Sequence, residues 1–181
     1  MPNVFIGKGD STGMAFRAPA GTALPSYPGA SLSADWVAIG NVGEDGIDMA
    51  LPSGDVIRNW ALDPERKNNT QPGQITVPFI HTTKSTLETL VGENNVTYVA
   101  ANGSHGNLTS VEFAPDVSAE PAAYLFLMRD GNSRAYIGSS NALISEIANV
   151  TFNGSDPVSW DTTIDGTWTL MHDDGAVASG S

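Results

Sequence analysis

The chain has no cysteine. That excludes a disulfide scaffold, a thiolate zinc site and a cysteine nucleophile together. Cations are scarce: 8 Lys and Arg stand against 20 Asp and Glu, for a formal net charge of −12. A chain this acidic does not grip nucleic acid by neutralising phosphates, which takes clustered Lys and Arg. It can still lie beside DNA without holding it. No run approaches the roughly 18 apolar residues that span a bilayer. The opening Met1-Pro2-Asn3-Val4-Phe5 has neither a basic region nor an apolar stretch of signal-peptide length. The expectation is a soluble protein made in a cytoplasm, with no membrane partner.

What is present suits one domain. With 181 residues, 40% of them hydrophobic, the chain can bury a real core. Residues 1–35 differ from the rest. From Gly13 to Ala30 the segment shows neither helical nor strand periodicity, and its prolines favour extended backbone. It also carries Phe16, Leu24 and Tyr27, so it reads as an extended N-terminal arm that docks on something. Residues 36–172 read as the β domain and 173–181 as a flexible C-terminal tail.

Within the domain, Ile47, Met49 and Leu51 alternate with Asp48, the mark of a half-buried strand. Pro52-Ser53-Gly54-Asp55 reads as a turn, returning Val56-Ile57-Arg58-Asn59-Trp60 as the second strand of a hairpin. Ile75 to Ile80 is another strand, and its Pro78 points to an edge or a bulge. Ser85 and Glu88 form a capping box, Leu87, Leu90 and Val91 make an apolar stripe, and Gly92 ends a short packing helix. Further strands follow at 95–100, 107–113, 121–129, 134–138 and 143–152. Tyr124-Leu125-Phe126-Leu127-Met128 is apolar on both faces and so predicts the central buried strand. In the last strand Trp160, Thr162, Ile164, Trp168 and Leu170 point one way, and Gly166 marks a bulge or bend. The predicted fold is mostly β: an antiparallel β-sandwich or partly closed barrel with one short helix.

Chemistry-bearing patterns are thin. Gly7-Lys8-Gly9-Asp10-Ser11-Thr12-Gly13 has its lysine before the second glycine and no helix after it, so it is not a phosphate loop. Asp10-Ser11 after an apolar run faintly suggests a GDSL-type esterase. Its required histidine spacing is missing, since Asp165 lies seven positions before His172. His172-Asp173-Asp174 lacks the converging ligands of a metal site. Trp36, Trp60, Trp160 and Trp168 fit core or interface packing better than a sugar platform. No catalytic residue, cofactor or metal is expected.

Trp36-Val37-Ala38-Ile39-Gly40-Asn41-Val42-Gly43-Glu44-Asp45-Gly46-Ile47 resembles the opening motif of the major tail tube proteins of long-tailed, siphovirus-type bacteriophages, particularly those of actinobacteria. Thr82 to Gly92 is similar to that family's short helix, and the strands from Tyr124 to Leu170 to its closing strands. The resemblance covers roughly 18–170. It implies a phage tail tube fold and no enzyme. The subunit would self-assemble into hexameric rings that stack into the conduit for DNA ejection. It would sit in the virion tail, made in the host bacterial cytoplasm, with the tape measure and tail terminator proteins as partners. DNA would pass transiently without specific binding. Asp48 and Asp55 become candidate bore-lining acids, the four tryptophans core or interface aromatics, and Phe16, Leu24 and Tyr27 inter-ring arm contacts. The alternative is another virion β-module, a capsid decoration or tail-fibre binding domain.

Overall fold

The computed structural model describes residues 8–9, 15–43, 46–50, 56–58, 64–66, 73–113, 119–148, 150 and 158–175. In chain order the strands are β1 (Lys8–Gly9), β2 (Ala15–Pro19), β3 (Val37–Gly40), β4 (Asp48–Ala50), β5 (Val56–Arg58), β6 (Pro64–Arg66) and β7 (Gly73–Phe79). After helix α1 (Lys84–Val91) come β8 (Val96–Val99), β9 (Leu108–Val111), β10 (Ala122–Asp130), β11 (Ser133–Ile147), β12 (Trp160–Gly166) and β13 (Thr169–Asp173). The main sheet runs β3-β2-β10-β11-β12-β7-β4, with β1 added to β10 and β13 to β11. Every pairing is antiparallel. The fold is mostly β, and the sheet is open. The segment just after β3 touches β7, the strand next to the far edge, where Val42 bridges Phe79.

Alternation along each strand sorts side chains between two apolar clusters. The larger holds Ile75, Val77, Phe79, Tyr124, Phe126, Ile144, Trp160 and Ile164, covered by Leu87, Leu90 and Val91 of the helix. Fully burying side chains of this size contributes roughly 1.5–3 kcal/mol each. The second cluster, on the other face, holds Ala18, Trp36, Ala123, Leu125 and Tyr136, with Phe16, Leu24, Leu32, Leu127 and Met171 packed on it. Residues 122–126 of β10 are fully buried between β2 and β11, as an apolar run on both faces requires.

Several expectations change in the structure. Residues 15–19, read as arm, form a strand inside the sheet. Small residues and coverage on both faces hide the alternation that would have marked it. The arm then runs back over its own sheet: Gly21 N–H donates to the Ser140 carbonyl at 2.7 Å, and Tyr136 Oη donates to the Pro25 carbonyl at 2.8 Å. Gly138 makes room for it, since a Cβ there would lie 2.8 Å from Leu24 Cδ2.

The predicted hairpin is also re-paired. β4 pairs with β7, whereas β5 pairs with β6, because Met49 finds its apolar partner in Ile75 rather than across the local turn. The helix starts earlier than its expected box. Thr83 is the N-cap, with Oγ1 accepting from Thr86 N–H at 3.3 Å, and Glu88 instead pairs with Lys84 at 3.1 Å. Gly92, at φ 84°, ends the helix in the left-handed region. Residues 133–147 form one strand rather than two. The last strand breaks after Gly166, and Leu170 is 63% exposed instead of sharing the buried face.

Candidate assembly surfaces

Four neighbouring strands present one polar face. In β7 and β12 the odd-numbered and even-numbered residues respectively point into the large cluster. Their alternates therefore point outward. Registers align Asp48, Thr76, Thr163 and Glu146 across β4, β7, β12 and β11, and Ala50, Gln74, Asp165 and Leu143 in the next row. Asp161, opposite Pro78, adds a further acid. The face thus carries Asp48, Asp161, Asp165 and Glu146, and no cation stands in these rows. Asp165 Oδ1 is covered and has no hydrogen-bond partner.

This four-strand face has two unpaired edges among the described residues. One is the outer side of β4. The other is the side of β11 facing away from β12 over residues 143–147. There the β10 ladder has already stopped at Ala122 opposite Ala142. Pro78 lies where β4 no longer pairs. Its carbonyl accepts from Gly43 N–H at 2.7 Å, so its missing N–H faces that same side and costs the β12 ladder nothing. Elsewhere the outer side of β3 carries Val37, 53% exposed.

Of the expected site residues, Asp48 is exposed on the acidic face, while Asp55 and Trp60 lie outside the described residues. Trp36 and Trp160 are buried. Trp160 Nε1 donates to Thr82 Oγ1 at 3.2 Å, and Trp168 Nε1 to the Gly73 carbonyl at 3.1 Å. Both rings serve the core of the same chain. Phe16 and Leu24 are likewise packed within their own chain. Tyr27 is 57% exposed. His81 and His105 lie in two separate connections, after β7 and after β8, and His172 lies on β13. No group of three metal-ligating side chains occurs among the described residues, and no described helix is long and apolar enough to cross a membrane.

Sequence reasoning missed one buried polar pair. Arg17 of β2 lies opposite Tyr124 of β10. Tyr124 Oη and Arg17 Nε are both buried without a hydrogen-bond partner. Burial pushes the Tyr124 hydroxyl up to about 12, partly opposed by the nearby Arg17 charge. The only sequence signal was a lone arginine among small residues, and it has meaning only once β2 is seen to be a strand. No protein-family profile and no curated protein matches this chain.

Proposed function

We propose that this chain is a structural wall subunit, self-assembling into stacked rings as the resemblance to phage tail tube proteins implies. The observation that carries the reading is the four-strand face with, among the described residues, an unpaired edge on each side. An exposed strand edge in a monomer invites unwanted pairing and is normally guarded. Here β4 and β11 run in opposite directions, since each strand in the series β4-β7-β12-β11 reverses the one before. Rotation about an axis near the strand direction preserves strand direction. A β4 edge therefore meets a neighbour's 143–147 edge antiparallel, and repetition closes a ring in which both of these edges are paired.

The acidic face then lines the bore. DNA carries a charge about every 1.7 Å, and a wall with Asp48, Asp161, Asp165 and Glu146 repels it and lets it slide. Tyr27 is the arm residue free to touch an adjacent ring. Tape measure and terminator proteins are the expected partners within a virion tail. Negative-stain images of the purified protein over a concentration series test this reading. Rings or tubes are the expected result, and isolated trimers would favour a decoration or fibre module instead.

A further inference from the structure

One half-buried cation stands without a partner. Arg17 of β2 has its Nε covered and unbonded, and among the described residues no carboxylate forms an ion pair with it. The Tyr124 hydroxyl on the neighbouring strand is fully buried and equally unbonded. Unmade hydrogen bonds at buried groups are costly, most of all at a charged one, so this pair calls for a further group to complete it.

Arg17 lines a cleft of about 610 Å³, a size that takes small ligands and peptide ends. Pro19, Val37 and Ile39 give the cleft an apolar stretch, with Val37 53% exposed. The first turn of α1 borders it through Lys84 and Ser85, and the positive end of a helix favours an anion. Lys84 is already paired with Glu88, which also lines the cleft. The remaining charged groups in the lining are the exposed acids Asp35, Glu93 and Glu120.

Strand register sets their spacing. Arg17 lies opposite both Val37 and Tyr124. Asp35 precedes Val37, and Glu120 precedes Tyr124, both towards the Pro19 end of β2. At the reach of extended chain, they stand roughly 7 and 13 Å from the Arg17 row. A lone anion on Arg17 would meet these carboxylates, and a lone cation would meet Arg17. A ligand carrying both charges at that separation satisfies both.

We propose that the cleft binds the C-terminal end of a partner polypeptide. Its terminal carboxylate pairs with the Arg17 guanidinium in the two-pronged geometry that arginine favours. A Lys or Arg one to three residues upstream meets Asp35 and Glu120, and the last side chain rests on Val37 and Ile39. The site lies on the helix side of the sheet, away from the acidic face of β4, β7, β12 and β11, so it does not depend on the wall-subunit reading.

The test is saturation-transfer NMR observed on the peptide acetyl-Lys-Ala-Val with a free carboxylate, over full-length protein at micromolar concentration. This reads weak binding whether or not the chain assembles. The C-terminal amide of the same peptide should bind roughly tenfold more weakly. Replacing its Lys by norleucine should weaken binding severalfold, as should Asp35→Asn/Glu120→Gln, which alters exposed positions only. Arg17→Gln should remove the signal, whereas Arg17→Lys, which keeps the charge without the fork, should retain part of it. Circular dichroism checks that both Arg17 variants fold.

Equal binding of acid and amide, or of the Lys and norleucine peptides, overturns the inference. Free lysine binding as tightly as the peptide makes this an amino-acid site and likewise overturns it, as does no signal at millimolar peptide. None of these outcomes touches the ring reading, which the micrographs decide separately.

Discussion

Tyr124 is buried completely, yet its hydroxyl has no hydrogen-bond partner. An unmade buried hydrogen bond costs about 1–3 kcal/mol, so Tyr124→Phe should leave the folded protein as stable or slightly more so at neutral pH. The folded pKa lies above the unfolded value of about 10. The neutral hydroxyl's contribution is therefore complete below about pH 10 and is lost as pH rises towards 12. That loss is on the order of 2 kcal/mol. Urea titrations across this window should show a smaller alkaline loss for Tyr124→Phe, and parallel curves for the two proteins would contradict the assignment. A second residue-scale test is Gly138→Ala. Its added Cβ would lie 2.8 Å from Leu24 Cδ2 and 3.1 Å from Leu125 Cδ1, and overpacking of this kind costs roughly 1–3 kcal/mol. Pairing it with Leu24→Ala should recover part of the loss in thermal unfolding.

At the scale of elements, the helix offers a clean comparison. Thr83→Ala removes the cap and should cost about 1 kcal/mol. Ser85→Ala, at the expected cap position but inside the helix, should change stability by a few tenths at most. Equal losses would mean the helix begins elsewhere. Thr86 adds a tertiary link, donating through Oγ1 to the Ile39 carbonyl at 2.6 Å. Thr86→Val should therefore cost about 1–3 kcal/mol by leaving that carbonyl unpaired.

The central strand, the existence of the helix and the Met49/Asp48 alternation were legible, because each depends on one periodicity within a few residues. β2 was not, since small residues covered on both faces carry no alternation. Neither was the partner of β4, which is a choice among distant strands that no local pattern records. Leu170 was misplaced because the break after Gly166 resets which side of the strand faces the core. On the acidic face, Asp48 was legible from its own strand. Asp161, Asp165 and Glu146 joined it only through register.

For the whole molecule, the proposed wall has the acidic face as its bore and the flanking edges as its joints. Asp48→Lys puts a cation on that face at an exposed position, so assembly should proceed while DNA release from assembled particles slows, and unchanged release kinetics would count against the bore assignment. The joints admit the most direct test. Outward-facing backbone amides of 48–50 and 143–147 have no strand partner among the described residues of a single copy, so they should exchange with solvent quickly in dilute, unassembled protein. Hydrogen exchange on the same protein after assembly should show protection rising at both segments together. Protection already present in the single copy, or none gained on assembly, would contradict the claim that these two edges hold the wall together.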